Sequence, residues 1–287
     1  MADIRQQLRD VFEDTVKLYS SDEKLKEAVK KTREGTRLYE ADDYPELPES
    51  AANKSGRISI TKHRTFEAAM LLRQQFPDKK IAVHNFASAT SPGGGVVNGA
   101  GAQEECLCRC STLYASLTIK QMWESYYDVN RKEHDVLHTD ACIFSPDVVV
   151  FKTDELIPKR MEPDKYITVD IVTCAAPNLR EAPSNRYNRE TGSAASVKPE
   201  QLYNIHLKRA KHILHTAAAN GDEIIVLGAF GCGAFRNDPS VVAGAYRDAL
   251  KDYAKYFEEI EFAVFCKEHE TGNYDTFRKK LATGRRN

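Results

Sequence analysis

The chain has 287 residues, with 41 Lys and Arg against 42 Asp and Glu and a formal net charge of −1. That length supports a sizeable buried core, and the charge balance leaves no global field to draw in nucleic acid or an acidic membrane surface. No run of 18 apolar residues occurs, which excludes a membrane-spanning helix by length.

The opening Met1-Ala2-Asp3-Ile4-Arg5 holds no apolar signal region. The 7 cysteines are an odd count, set mostly inside apolar runs; reduced thiols and a cytoplasmic location are expected. Residues 3–33 are helix-forming, with Leu8, Phe12, Val16 and Tyr19 on one periodic face and a second helical run from Glu23 to Arg33. Gly35 is a stop signal, and residues 36–56, with Tyr39, Tyr44, Pro45, Pro48 and Ser50, read as loop.

From residue 57 strands and helices alternate. Arg57 to Thr61 is a short strand, and Thr65 caps a helix with Phe66, Ala69 and Met70 on one face, ended by Pro77. Lys80 to Asn85 is a strand, Glu104 to Leu117 a helix, and Cys142 to Phe144 and Val148 to Phe151 are short strands flanking Ser145-Pro146. Tyr166 to Ala175 is a long apolar strand. A helix follows from Leu202 to Ala219, with Leu202, Ile205, Ile213 and Ala217 inward and Gly221 closing it. Glu223 to Leu227 is a buried strand. Asp238-Pro239 is an N-cap with proline at the first helical position, opening a helix to about Phe257. Glu261 to Cys266 is the last strand and Asn273 to Lys280 the last helix. Continuous apolar strands between amphipathic helices give an α/β fold, a three-layer α/β/α sandwich. Asn178 to Lys198 is poor in apolar residues and carries Arg180, Arg186 and Arg189; it reads either as a mobile insertion or as a lid over a phosphate-bearing ligand. The tail, Gly284 to Asn287, is expected to fray.

One loop organises the rest. After the Ile81–Val83 run comes Asn85-Phe86-Ala87-Ser88-Ala89, then Pro92-Gly93-Gly94-Gly95-Val96-Val97-Asn98-Gly99-Ala100-Gly101-Ala102-Gln103-Glu104-Glu105. Such glycines have little value in a core, but let backbone approach a ligand closely. A capped surface loop is one reading. A dinucleotide fingerprint is another, with Gly93, Gly95 and Gly99 in G-x-G-x-x-x-G spacing, but a Rossmann turn follows its strand at once and its ribose-binding acid lies further on. That spacing argues against a nicotinamide-dependent oxidoreductase. The third reading is a loop cradling a sugar or phosphate, with the carboxylates of Glu104 and Glu105 delivered to the reacting centre.

Gly-Gly-Gly, seven residues, then Gln-Glu-Glu resembles the signature of poly(ADP-ribose) glycohydrolases, and the surrounding Asn-Phe-Ala-Ser-Ala, Pro-Gly-Gly-Gly and Ala-Gln-Glu-Glu resemble the microbial type of that family, over about residues 5–280. The resemblance implies a macrodomain: a sandwich with a mixed central sheet over residues 57–287, with residues 1–56 as a helical extension packed on it. It implies hydrolysis of ribose–ribose O-glycosidic bonds in poly(ADP-ribose) with release of ADP-ribose, needing no metal or other cofactor. By the same resemblance Glu105 is the general acid and base, Glu104 holds ribose hydroxyls, and Gln103 supports the site. Adjacent helical residues point about 100° apart, so the two carboxylates do not flank one bond as a conventional pair, which favours separate roles. A helix N-terminus lowers a carboxyl pKa whereas burial and a neighbouring charge raise it; the sequence leaves that contest open.

The second cluster, Leu227-Gly228-Ala229-Phe230-Gly231-Cys232-Gly233-Ala234-Phe235, sits at the carboxyl end of a strand, where open α/β sheets bind ligands. Gly231 and Gly233 can present an anion nest, and the absent Gly-Lys-Ser/Thr argues against a P-loop. By resemblance Gly231, Cys232, Gly233 and Ala234 wrap the diphosphate of ADP-ribose and Phe235 lies against its distal ribose or adenosine. Gly93, Gly94, Gly95 and Val96 are expected at the substrate with Asn85 and Asn98 as polar contacts; either Asn is equally a turn or strand-end residue. Cys232 reads as a packed small residue. Cys106-x-Cys108-x-Cys110 lacks knuckle spacing, and His212 with His215, like His134 with His138, reads as solvated or half-buried rather than metal-ligating. The expected partner is ADP-ribose or poly(ADP-ribose) on modified proteins, acted on by a monomer with no membrane and no sequence-specific nucleic-acid contact. A non-catalytic ADP-ribose reader and a mono-ADP-ribosyl hydrolase are the alternatives; retention of both carboxylates favours an enzyme.

Overall fold

The computed structural model describes residues 3–49, 52–184 and 192–282. Its strands alternate apolar side chains between two cores, which is what strands covered by helices on both faces require. In β3 (Ile81–Ala87), Ala82 faces one core while Ile81 and Val83 face the other; in β6 (Ile224–Leu227), Ile225 and Leu227 face the first, Ile224 and Val226 the second. Helices α8 (Pro199–Ala219), α9 (Pro239–Tyr253) and α10 (Gly272–Leu281) cover the first core through Ile213, Val242, Tyr246 and Phe277. The second is covered by α1 (Ile4–Ser21), α3 (Thr65–Gln75), α4 (Gln103–Cys110) and α5 (Leu113–Leu117), through Phe12, Phe66, Leu107 and Leu113.

Among the described residues, seven strands form one mixed sheet in the order β1 (Arg37–Tyr39), β4 (Cys142–Val150), β5 (Ile167–Ala175), β3, β6, β7 (Glu259–Ala263) and β2 (Arg57–Thr61). β3 pairs parallel with β5 and with β6, so three carboxyl ends meet at the middle of one sheet edge. β2 and β7 continue the parallel half, and β4 lies antiparallel to β5. No helix of the described residues is long and apolar enough to cross a membrane.

Several elements differ from the sequence reading. Residues 36–56 are not all loop: β1 (Arg37–Tyr39) pairs with β4 from Cys142 to Phe144 as an edge strand, and α2 (Glu23–Gly35) leads directly into it. Three residues with one buried side chain carry too little period to be recognised as a strand. The two short strands around Ser145-Pro146 are one, because the proline is absorbed in a bulge between Ser145 and Val148, with Asp147 at φ 53. The helix from Glu104 does not reach Leu117. Ser111 turns extended, bridges Val150 and returns its hydroxyl to the carbonyl of Leu107, the local competition with helix expected of serine.

A helical run between residues 120 and 133 is absent from the sequence reading: α6 (Lys120–Met122), a π turn (Trp123–Tyr127) and α7 (Asp128–Glu133). The last strand begins at Glu259 rather than Glu261. Both carboxylates are buried in it because Arg57 pairs with Glu259, and Thr61 and His63 with Glu261. His212 and His215 are not solvated; they are buried and face the carbonyls of Asp43 and Pro45, tying the segment after β1 onto α8. His138 is also buried. Arg186, Arg189 and the tail from Gly284 lie outside the described residues.

Candidate active site

The glycine loop leaves β3 and returns as α4, and Gln103 fixes the junction. Its side-chain oxygen accepts the N–H of Phe86 at 2.9 Å, and its amide donates to the carbonyl of His84 at 2.8 Å and to Thr65 Oγ1 at 3.3 Å. An amide that both donates and accepts is needed here; a carboxylate would repel the carbonyl. Thr65 is therefore the first residue of α3 and a partner of Gln103, while Arg64 occupies the N-cap.

Glu104 follows, buried, with both oxygens engaged: Oε2 accepts the N–H of Ser88 at 2.7 Å and Oε1 accepts from Asn85 Nδ2 at 3.4 Å. Asn85 is held in turn by Thr173 Oγ1 at 3.2 Å. Glu105 is also buried, but only Oε1 is engaged, accepting the N–H of Gly95 at 2.8 Å; Oε2 is buried with no partner. Gly94 lies between the two carboxylates at φ 57. A Cβ there would stand 2.6 Å from Glu105 Oε1 and 3.1 Å from Glu104 Oε2, so any side chain would push on the carboxylates as well as strain the backbone.

Burial settles the contest over charge. It raises Glu104 well above the usual carboxyl range, reinforced by the charge of Glu105 and opposed by the N–H of Ser88 and by Asn85. Burial raises Glu105 as well, opposed by the N–H of Gly95 and more weakly by Arg109. The helix N-terminus does not overcome desolvation for either group. Beneath them His84 is buried between the rings of Phe86 and Phe230, and burial with the nearby His206 takes its pKa down to about 3, so it stays neutral.

The second loop runs from the end of β6 to α9. Asn237 shapes it from within, donating to the carbonyls of Pro177 at 2.7 Å and Gly231 at 3.1 Å and facing His206 Nε2 through Oδ1 at 2.9 Å. The N–H groups of Gly233, Ala234 and Phe235 make no hydrogen bond to another backbone group among the described residues. They offer a row of donors at the carboxyl end of the sheet.

Both loops open into one cavity of about 770 Å³, lined by Gly94, Gly95, Gln103, Glu104 and Glu105 on one side and by Gly231, Gly233, Ala234 and Phe235 on the other. Five expected contacts lie off it. Asn85 sits behind Glu104, Val96 is buried in the second core, and Gly93 packs on Tyr114. Asn98 points outward on the exposed shoulder of the loop. Cys232 packs beside the first core while burial pushes its thiol up, in keeping with a small packed residue. In an alternating loop, side chains point away where backbone faces in, so motif membership overstates the number of contacts.

Three further parts of the cavity were not among the expected contacts, although Arg180 stood in the segment read either as a mobile insertion or as a lid over a phosphate-bearing ligand. Ile4, Arg5 and Leu8 of α1 form a wall; Phe265, with the Arg64 guanidinium 4.0 Å from its ring centroid, stands at the mouth; Arg180 reaches in beside Phe235. An amphipathic helix names a buried face but not its partner, so the first had no signal. Arg180 did carry one, as a cation in an otherwise non-apolar segment. No group of three or more His, Cys, Asp or Glu among the described residues is placed to hold a metal.

Residues 8–153 match the family model described as microbial-type PARG, catalytic domain. The structure is similar to that of poly(ADP-ribose) glycohydrolase from Deinococcus radiodurans in complex with ADP-ribose, with 36% identity over 88% of this chain and 96% of that one and a TM-score of 0.73. It is also similar to the Thermomonospora curvata glycohydrolase bound to the inhibitor ADP-HPD, with 30% identity over 96% of this chain and 99% of that one and a TM-score of 0.78. No match was found among curated protein sequences.

Proposed function

The chain belongs to the microbial-type poly(ADP-ribose) glycohydrolases, glycosidic hydrolases acting on poly(ADP-ribose), and on that premise we propose that Glu105 is the acid and base that opens the ribose–ribose bond. The observation that carries the assignment is the asymmetry of the carboxylate pair. Both carboxyls are raised by burial, but Glu104 has both oxygens tied to donors, whereas Glu105, which lines the cavity, keeps a buried Oε2 without a partner among the described residues. A group that must give and retake a proton needs a free oxygen and a pKa shifted toward working pH.

In this reading the ADP-ribose unit lies along the cavity, its diphosphate against the N–H groups of Gly233 to Phe235. Glu104, fixed by Ser88 and Asn85, accepts ribose hydroxyls. Glu105 Oε2 donates its proton to the departing ribose oxygen as the glycosidic bond breaks. The resulting carboxylate takes a proton from the water that attacks the oxocarbenium-like carbon, and ADP-ribose is released. The raised pKa of both groups supports proton retention before bond cleavage, and the macrodomain arrangement fits the mixed sheet.

Labelled poly(ADP-ribose) incubated with wild type and with Glu105→Gln tests this. The variant is expected to lose about 10²–10⁴ in kcat while binding ADP-ribose within a few-fold of wild type. Full turnover by Glu105→Gln would remove Glu105 from the role. Failure of folded wild type to release ADP-ribose, together with activity on a mono-ADP-ribosylated protein, would shift the substrate to the single unit.

A further inference from the structure

Arg180 is a half-buried cation facing the ligand cavity without a counter-charge. Its Nε donates to Asn178 Oδ1 at 3.0 Å and one Nη to the carbonyl of Pro183 at 3.2 Å; the other Nη makes no hydrogen bond among the described residues. No carboxylate pairs with it among those residues, in contrast to Arg236, which meets Glu181 at 3.3 Å. The guanidinium lies 5.4 Å from the ring centroid of Phe235, and the N–H of Leu179 bonds the carbonyl of Phe235 at 3.0 Å. The segment bearing Arg180 is thus pinned to the loop whose N–H groups line the cavity.

A brace for a surface segment does not need a charge, since both partners of Arg180 are neutral oxygens. Holding a guanidinium partly out of water with no anion beside it is unfavourable. Burial, then the like charge of Arg236, pulls Arg180 below the ordinary arginine range. An anion in the cavity relieves both. Two other arginines at the cavity are committed elsewhere: Arg109 is buried, donating to the carbonyl of Ala100 and to the Cys106 sulfur, and Arg64 stacks on Phe265.

We infer that Arg180 is a binding residue for the diphosphate bridge of the ADP-ribose unit, meeting its oxygens from beside the Gly231–Phe235 loop with the free Nη edge of a guanidinium held in place by the Phe235 ring. The inference rests on the ADP-ribose reading above. It assigns part of the diphosphate recognition to a side chain outside both glycine motifs, and it gives Phe235 a second duty, orienting a cation.

Calorimetric titration of ADP-ribose, ADP and adenosine into wild type, Arg180→Ala and Arg180→Lys distinguishes the outcomes, with the Tm of each variant recorded. Loss of a charge-assisted contact is expected to weaken ADP-ribose and ADP by about 10- to 100-fold in Arg180→Ala, with adenosine within about twofold and Arg180→Lys in between. An equal loss for all three ligands, accompanied by a lower Tm, would make Arg180 a structural brace and overturn the inference. Unchanged ADP-ribose affinity in Arg180→Ala would overturn it as well, leaving the function intact. If wild type itself bound no ADP-ribose, the reading of the whole cavity would fall first.

Discussion

At the scale of single residues, the site depends on the difference between two neighbouring carboxyls. Because Glu105 is raised by burial, its protonated fraction extends above the ordinary carboxyl range and is lost as pH rises through the folded value. The step that needs the acid should therefore weaken on the alkaline side, and a pH profile of kcat/KM for wild type should show that limb. A profile without that limb would point to an acid other than Glu105. Gly94 offers a harsher perturbation. Gly94→Ala requires a left-handed backbone that costs about 1–3 kcal/mol, and its methyl would press on Glu105 Oε1. Displacing a catalytic oxygen by about an ångström removes about 10² in rate, so turnover should fall by that order while circular dichroism remains native. Wild-type turnover by the alanine variant would show that the loop yields without moving the carboxylates.

At the scale of elements, the N-terminal helix is tied to the site from behind. Thr15 Oγ1 donates to the carbonyl of Arg109 in α4 at 2.5 Å, and the buried Lys152 donates to the carbonyl of Val11 at 2.9 Å and meets Asp14 at 2.7 Å. Asp14 is exposed, so water replaces the lysine there, whereas the carbonyl of Val11 loses its lysine donor. Lys152→Met is expected to cost about 1.5 kcal/mol in urea unfolding and to loosen the α1 wall, raising KM for the polymer more than it lowers kcat. A loss confined to kcat would detach α1 from substrate binding. Such couplings mark where the sequence stops being legible. The apolar run revealed the strand read from Lys80 to Asn85, the Asp238-Pro239 cap revealed the helix that follows it, and Gln103-Glu104-Glu105 was readable because chemistry-bearing residues stand together. β1 was not readable, since Arg37-Leu38-Tyr39 acquires meaning only beside β4. Asn85 was read as either a ribose contact or a strand-end residue, because an asparagine looks alike whether it holds a ribose or the carboxylate in front of it; it stands near the end of β3 and holds Glu104.

At the scale of the whole molecule, the sheet carries a second strained acid at the end opposite the cavity. Asp222, just before β6, is buried with neither oxygen partnered, and burial, then the charge of Asp170, raises it well above the ordinary range. Asp170 is itself paired with Lys80 at 3.1 Å. The arrangement is favourable while Asp222 stays protonated. A carboxyl raised in the folded state contributes stability fully below its unfolded pKa, about 4, and that contribution is lost as pH rises through the folded value. Asp222→Asn keeps a donor without the charge, so it should be more stable than wild type at pH 8, with the difference shrinking toward pH 4. Urea midpoints at the two ends give the answer; a difference constant with pH would mean that Asp222 does not titrate in this range.

The cavity takes its lining from Ile4 at one end of the chain to Asn273 near the other, with contributions from most elements between. On the ribosome, therefore, no partial chain owns the site: the first helix must wait for Lys152, and the mouth for Phe265. Ligand capture becomes a signal that every lining segment from Ile4 to Asn273 has been made and folded. A ligand selective for the finished state stabilises it by RT ln(1 + [L]/Kd). An arrested nascent chain lacking the segment from β7 onward should be blind to ADP-ribose at any concentration that saturates the released protein.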